Sequence, residues 1–173
     1  MQRIILLTYF LAIACFFCCN EKKDTSEIIA SYKTIRTALV DADDVQDSFF
    51  VKATQLLSQI NDNKYATVDT KELKILLDSS ITANDNETKI IYSVKEPDNK
   101  IKYREKSLTF VNLLNDLYQN QFKQFISILE SKSGDRFEKS RAILYEKLLV
   151  WKQAKDDWKE ANQEMRDKYS ITN

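Results

Sequence analysis

The sequence has no histidine, and it contains a single glycine, Gly134, and a single proline, Pro97. Histidine is the side chain most used for proton transfer near neutral pH and the commonest metal ligand, so its absence argues against many enzymes and metal sites. Glycine and proline normally make up about 7% and 5% of a chain, and β-hairpins depend on glycine for positive φ angles. Their scarcity disfavours a large sheet and favours an all-α fold.

An excess of charge of one sign is also lacking, because 26 Lys and Arg residues balance 26 Asp and Glu residues. A protein that binds nucleic acid normally carries a distinct basic surface, so we expect no nucleic-acid partner. What the 173-residue chain does have is 43% hydrophobic and 30% charged residues. This composition is typical of a folded domain with one core.

The three cysteines all lie within residues 15–19, so the rest of the chain can hold no internal disulfide. A single charge at Arg3 and the apolar run 4–14 precede them. A charge followed by a short apolar run and small residues is typical of a secretory signal peptide. The run is shorter than the roughly 20 residues that a membrane-spanning helix needs.

The residues Ala12-Ile13-Ala14-Cys15 resemble the lipobox of bacterial lipoproteins, in which the cysteine becomes the first residue of the mature protein and carries a diacylglycerol. The resemblance covers this segment only, and it implies that Cys15 is lipidated. Cys19 is the alternative, because it lies directly before a hydrophilic stretch and would leave no other cysteine in the mature chain. The expected organisation is a signal peptide over 1–14 (1–18 if Cys19 is lipidated), a lipid-anchored tether over 15–24 and a helical domain over 25–173.

Apolar residues at three- and four-residue spacings predict three helices in the first half of the domain. The first helix begins in the capping box that starts at Asp24. This helix ends at residues 41–44, where the second helix begins. The second ends at Asn61, and the third begins at Asp69 or Thr70 and fades at residues 82–86. Their apolar stripes are, in order, Ile28, Tyr32, Ile35 and Leu39; Val45, Phe49, Ala53, Leu56 and Ile60; and Leu73, Leu76 and Leu77.

Residues 89–104 are open to two interpretations. The second half of the segment alternates apolar and polar residues, as in a β-hairpin around a turn at 96–99. The favoured alternative is a short helix that Asn86 caps and Pro97 breaks, with Asp98 capping the next helix.

Two long helices are predicted over 98–133 and 135–169. Gly134 suits the left-handed residue that ends a helix and Asp135 suits an N-cap, so the two should form an antiparallel αα-hairpin. Pairing about Gly134 places Asn115 near Lys155 in a polar layer that fixes the register at some cost in stability. The apolar residues of the two helices are Ile101, Leu108, Val111, Tyr118, Phe122, Phe125 and Leu129, and Phe137, Leu144, Leu148, Trp151, Trp158, Met165 and Tyr169, with Val111 opposite Trp158 and Tyr118 opposite Trp151. The expected fold is an all-α bundle of about five helices dominated by this hairpin.

No residues with a catalytic, cofactor-binding or metal-binding pattern are recognisable in the sequence. The serines and threonines have no histidine to activate them, and the chain has no glycine-rich phosphate loop. Carboxylates such as Asp47, Asp156, Asp157 and Glu160 fall on predicted solvent faces. Aromatic side chains of the hairpin have a spacing typical of core residues. We therefore expect neither enzyme activity nor a cofactor.

The Lys- and Asn-rich, glycine-poor helical domain behind a lipobox resembles, in general style, the small surface lipoproteins of spirochaetes. The first functional hypothesis is a lipid-anchored module in the outer membrane or on the cell surface that presents a helix face or residues 80–106 to an unidentified protein partner. The alternative is a periplasmic structural or envelope-assembly lipoprotein. Because the first three helices can cover the hairpin's apolar stripe, we favour a monomer, with self-association as the alternative.

Overall fold

The structure, a computed structural model, describes residues 24–61, 69–131 and 134–172 of the chain. Of these described residues 89% are helical and none lies in a strand, which confirms the predicted all-α class. The hairpin interpretation of residues 89–104 is therefore wrong, because they form a helix end, a turn and the start of the next helix. The helices are α1 (Thr25–Asn61), α2 (Lys71–Ser93), α3 (Tyr103–Asp116), α4 (Lys123–Ser131) and α5 (Gly134–Tyr169), and a π-helical segment (Leu117–Phe122) joins α3 to α4.

The helices form a four-membered antiparallel bundle in which α3, the π segment and α4 act together as one continuous third arm. Each member packs against the next in the chain, and α5 returns to contact α1. We call the end of the bundle that holds Asp24, the α2–α3 turn and Tyr169 its N-terminal end. Contacts that fix the antiparallel order are Lys52 with Glu72, Asn84 with the carbonyl of Val111, Phe125 with Phe137, and Tyr32 with Asn162.

The predicted break at residues 41–44 is wrong, because α1 runs through them without interruption. Ala42 and Gln46 are each only 4% exposed and occupy the inward positions between Leu39 and Phe49. The buried stripe is therefore continuous from the first predicted helix into the second. A helix can keep acidic residues in its middle when they face solvent, as the exposed Asp41 does.

The third helix also extends further than predicted. Helix α2 continues through residues 82–86 to Ser93, and its buried positions there are Ser80, Asn84, Glu87 and Ile91. Three of these four side chains are polar. A search for apolar periodicity does not detect a helix face that the fold buries with polar residues.

The turn between α2 and α3 is held by side chains that satisfy helix-end backbone groups. The guanidinium of Arg104 donates to the carbonyls of Ile91 and Tyr92 at 3.0 and 3.1 Å, at the end of α2. The carboxylate of Glu96 accepts from the backbone N–H groups of Arg104 and Glu105, both at 2.9 Å, at the start of α3. Glu96 therefore caps α3, a role that the sequence predicted for Asp98.

The αα-hairpin is present with shifted boundaries, and its first arm begins at Tyr103 rather than at residue 98. Helix α5 begins at Gly134, so Gly134 is its first residue rather than the end of the preceding helix, and Asp135 lies inside its first turn. Helix α4 ends at Ser131, and residues 132–133 lie outside the described part of the chain.

The core consists of two clusters of buried side chains that meet at Trp151. The cluster nearer the N-terminal end includes Tyr32, Tyr103 and Met165, and the other includes Phe49, Phe122 and Leu144. In the first cluster Asn162 accepts hydrogen bonds from the hydroxyls of Tyr32, at 2.8 Å, and Tyr103, at 3.5 Å. Asn162 therefore links α1, α3 and α5 through polar atoms inside an apolar core.

Candidate protein-binding face

The outer face of α5 exposes a cluster of large hydrophobic side chains. Leu149 is 69% exposed, Tyr145 51%, Val150 50% and Ile143 37%. With 3.6 residues per turn, Leu149 lies on the side of α5 opposite Trp158, which packs against the core. The four side chains are therefore directed away from the core or along its edge. We call Ile143, Tyr145, Leu149 and Val150 the α5 face.

The remaining exposed hydrophobic side chains of the described residues are spread over two other helices. They are Val40, Val51, Ile75, Ile90 and Tyr92. Single exposed hydrophobic residues are ordinary on soluble proteins, whereas a contiguous group marks an interaction surface. The α5 face places four such residues within eight positions of one helix. It is therefore the strongest candidate for a binding surface.

The α5 face lies well away from the N-terminal end of the bundle. Leu149 precedes the end of the helix at Tyr169 by about 30 Å, at 1.5 Å per residue. The exposed charges of Glu146 and Lys152 flank the face, and neither forms an ion pair with any described residue. The face has an apolar centre and a charged rim, which is the usual anatomy of a protein interface.

A stack of four aromatic rings lies behind the α5 face and holds α5 against α1 and α3. In order, the rings belong to Phe50, Trp151, Phe110 and Trp158. Neighbouring centroids are 5.2, 5.8 and 5.5 Å apart, and the interplanar angles are 18°, 27° and 12°. The Lys155 ammonium lies 5.2 Å from the Trp151 ring centroid and 5.9 Å from that of Phe110. Offset stacking and cation–π attraction both stabilise this arrangement.

The ring contacts in this stack differ from two of the predicted pairings. Phe110, not Val111, stacks on Trp158, and Trp151 stacks on Phe50 and Phe110. The predicted Asn115–Lys155 layer is not hydrogen-bonded, because Lys155 lies over aromatic rings and Asn115 Oδ1 is buried without a partner among the described residues.

A second unusual feature is a group of polar side chains in the middle of the bundle. Gln46 donates to Glu87 at 3.2 Å, and Asn84 donates to the carbonyl of Val111 at 3.2 Å. Tyr118, in the π segment, is fully buried. Burial raises the pKa of Tyr118, the nearby Ser80 hydroxyl offsets part of this rise, and the negative charges of Glu87 and Asp47 add to it, so the phenol stays neutral.

Two oxygens of this group, Asn84 Oδ1 and Tyr118 Oη, are buried and have no hydrogen-bond partner among the described residues. Buried polar atoms of this kind are the usual hydrogen-bonding sites of internal water. Within the described ranges no three His, Cys, Asp or Glu residues come together in a way that could hold a metal ion. The chemistry that the group offers is thus hydrogen bonding.

Among the described residues, the structure does not bring the carboxylate and aromatic candidates of the sequence together at one site. Cys15 and Cys19 lie outside the described residues. Asp47, Asp156 and Glu160 are exposed, as predicted, and Asp157 accepts a hydrogen bond from Gln153 at 2.8 Å. The side chains brought together in the ring stack include Trp151 and Trp158, whereas Tyr118 lies beside the polar group.

Sequence reasoning missed the α5 face, although a signal for it was present. Residues 142–151 contain only two charged side chains, Glu146 and Lys147, so this stretch is more apolar than one buried stripe requires. An excess of apolar residues on a helix indicates a second apolar face.

None of the helices in the described part of the chain is both long and apolar enough to cross a membrane. Comparison of the chain with protein-family models, with curated proteins and with solved structures finds no match.

Proposed function

We propose that this chain is a lipid-anchored, extracytoplasmic lipoprotein of the outer membrane or cell surface, and that its helical bundle binds a protein partner through the α5 face. The observation that carries the binding proposal is the clustered exposure of Tyr145, Leu149 and Val150 on a helix whose opposite side is packed. The lipid anchor is supported by the lipobox-like residues 12–15.

A protein fits the α5 face better than a small molecule or a lipid surface does. Small-molecule sites are concave, whereas Tyr145, Leu149 and Val150 lie on the outer side of a helix; Ile143, at the edge of the face, also lines a cavity between α4 and α5. The face also lies about 30 Å from the N-terminal end, at which the anchor would hold the bundle to the membrane. A partner protein can reach a surface at that height.

Lipidation is tested by labelling cells with radioactive palmitate. Cys15→Ser should abolish incorporation into this chain, while Cys19→Ser should leave it intact. Loss of label in Cys19→Ser alone would move the acylated residue to Cys19 and keep the anchor. If neither the native chain nor any variant incorporates the label, the lipoprotein proposal is refuted.

The membrane side is tested by protease treatment of intact cells and of cells whose outer membrane has been opened. A surface-exposed domain should be digested on intact cells. Protection until the membrane is opened would support the periplasmic envelope-assembly alternative instead.

Binding through the α5 face is tested with a photo-crosslinking residue placed at Leu149 in the anchored chain on cells. The control position is Gln163, which is also exposed on α5 but lies about 21 Å further along the helix. Discrete adducts at position 149 and none at 163 are expected. The absence of adducts from position 149 would contradict the proposed function.

A further inference from the structure

We infer that the cavity between α4 and α5 binds a small anion that carries a phosphate monoester group. The cavity is separate from the helix surface for which we propose a protein partner, although the two meet at Ile143. Its volume is about 380 Å³. Binding sites for small molecules commonly have roughly 300–1,000 Å³, so a compact organic phosphate fits inside it.

The walls of the cavity are one side of α4 and one side of α5. On each helix the lining residues follow the i, i+3, i+4 pattern that places side chains on the same side. Contact between the rings of Phe125 and Phe137 holds the two helices against each other. The lining residues are Gln124, Ser127 and Ile128 of α4, and Arg136, Lys139, Ser140 and Ile143 of α5. The cavity is therefore formed by two packed helices.

The charge of the lining residues selects an anion. Arg136 and Lys139 are exposed, and neither forms an ion pair with a described residue. None of the described residues that line the cavity is acidic. Two carboxylates of the same helices, Glu130 and Glu138, form ion pairs with residues outside the cavity. The cavity therefore has two positive charges that its own walls do not neutralise.

A buried hydroxyl in the wall points to a ligand rather than to a solvated charged surface. Ser140 lines the cavity and is only 8% exposed, and its hydroxyl forms no hydrogen bond with a described residue. By contrast, the buried Ser107 hydroxyl donates to the carbonyl of Tyr103 at 2.8 Å. Burial of a polar group is costly unless the group finds a partner. An anion in the cavity supplies the acceptor that the Ser140 hydroxyl lacks.

The set of donors suits a phosphate monoester better than a carboxylate. The polar lining groups are one guanidinium, one ammonium, two hydroxyls and one amide, and all of them can donate hydrogen bonds. A phosphate monoester offers three acceptor oxygens and a charge of about −1.5 to −2 at pH 7. It therefore matches both cations, whereas a carboxylate has two oxygens and a single charge. A guanidinium also binds two phosphate oxygens at once.

The cavity has an apolar side that a bare phosphate ion would leave uncovered. Ile128 and Ile143 line it together with the polar side chains. The organic substituent of a phosphate monoester can pack on these two side chains. An apolar substituent should therefore increase the affinity, because burial of apolar surface is favourable.

A phosphate monoester group can belong to a soluble molecule or to a lipid headgroup, and the chemistry of recognition is the same. Lys139 lies about 45 Å along α5 from Tyr169, which is at the N-terminal end of the bundle. That end is the one that the proposed anchor would hold to the membrane. The distance favours a soluble ligand.

The direct test is calorimetric titration of the full chain in micelles of a neutral detergent. The probes are phenyl phosphate, inorganic phosphate and benzoate, each at pH 7. We expect phenyl phosphate to bind with a Kd on the order of 0.1–1 mM, as suits a ligand of its size. Inorganic phosphate should bind several-fold more weakly, and benzoate about tenfold more weakly, because each lacks one part of the match.

Four variants locate the site. Arg136→Gln and Lys139→Gln should each weaken the binding of phenyl phosphate about tenfold, because each removes a hydrogen bond between charged groups. Ser140→Ala should weaken it about fivefold and leave the melting temperature of the ligand-free chain unchanged, because the hydroxyl has no partner to lose. The control Lys159→Gln removes the same charge from an exposed position of α5 about 30 Å away and should leave binding unchanged.

The outcomes decide the inference and the source of the phosphate. Losses in the three cavity variants, with none in Lys159→Gln, support the inference. No binding of phenyl phosphate, or equal losses in all four variants, would overturn it. Benzoate that binds as tightly as phenyl phosphate would overturn the choice of a phosphate group. Phosphatidic acid added to the micelles should not displace phenyl phosphate, and displacement would overturn the soluble source in favour of a lipid headgroup.

Discussion

Asp98 should be the most important single charge for the stability of this bundle. Its side chain is 7% exposed and accepts hydrogen bonds from the α2–α3 turn and from the last turn of α5. One oxygen accepts the backbone N–H groups of Lys100, at 2.7 Å, and Ile101, at 3.3 Å. The other accepts the hydroxyl of Tyr169, at 2.7 Å, and the ammonium of Lys168. The last turn of α5 is thereby joined to the turn at the N-terminal end.

The substitution Asp98→Asn isolates the contribution of the charge. The amide oxygen of asparagine can still accept hydrogen bonds from the two backbone N–H groups. Its NH2 group, however, faces Lys168 and Tyr169, which are themselves donors. Hydrogen bonds to charged groups contribute about 1.5–3 kcal/mol each, and the Lys168 bond contributes less because its side chain is 45% exposed. We expect a loss of about 2.5 kcal/mol in the free energy of unfolding. For a domain of this size the melting temperature should fall by about 5–10 °C.

The pH dependence gives a second, independent measure. Burial alone would raise the pKa of Asp98, but the hydrogen bonds from Lys168, Tyr169, Lys100 and Ile101 outweigh it and hold the pKa well below its ordinary value. A group with a depressed folded pKa stabilises the fold above its unfolded pKa, about 3.9, and loses that contribution as the pH falls further. The difference between native and Asp98→Asn chains should therefore be constant from about pH 5 to 8 and shrink at pH 2–3.

The assay is urea unfolding of the chain from Asp24 onward, followed by circular dichroism at pH 7 and pH 3. Glu105→Gln is the control, because Glu105 forms an exposed ion pair with Lys102 at 3.1 Å and its loss should cost about 0.5 kcal/mol or less. Equal stabilities of the native and Asp98→Asn chains at pH 7 would refute the reasoning. So would a difference that persists undiminished at low pH.

Three further substitutions probe the core. Asn115→Leu should raise the melting temperature by about 2–4 °C in a thermal scan, because it removes a buried oxygen that has no partner among the described residues; a clear decrease would contradict this. Asn162→Leu should cost about 1–3 kcal/mol in urea unfolding, since the buried Tyr32 hydroxyl loses its acceptor, whereas full stability would show that water replaces it. Phe110→Ala should cost about 3–5 kcal/mol and change the fluorescence of both tryptophans, and an unchanged spectrum would argue against the ring stack.

Much of the fold could be predicted from spacing alone. The hairpin of the third arm and α5 follows from apolar residues at three- and four-residue steps. The breaks predicted inside α1 and α2 were wrong for a common reason, because both helices bury polar or small side chains where the search expected apolar ones. Ala42 and Gln46 carry the stripe of α1 past its acidic residues, and Asn84 and Glu87 do the same in α2.

Other features depend on the tertiary structure or lie outside what a search for buried stripes detects. The π segment inserts extra residues per turn within an arm whose heptad pattern continues on both sides. The capping of α3 by Glu96 depends on how the chain turns after α2, so spacing pointed to the nearer Asp98 instead. The α5 face is an exposed group, and a search for buried stripes is directed at the opposite side of the helix.

Two features of this domain, its buried oxygens without partners and its exposed hydrophobic side chains on α5, both oppose its stability. A chain without a disulfide in the described region must be stabilised by packing. It nevertheless buries polar oxygens that lack partners among the described residues, and it exposes four large hydrophobic side chains on one helix. Neither feature helps the chain to fold, and sequences that break such local rules tend to do so where function requires it. The exposed side chains are those for which we propose a binding role, whereas the buried oxygens belong to α2, α3 and the π segment.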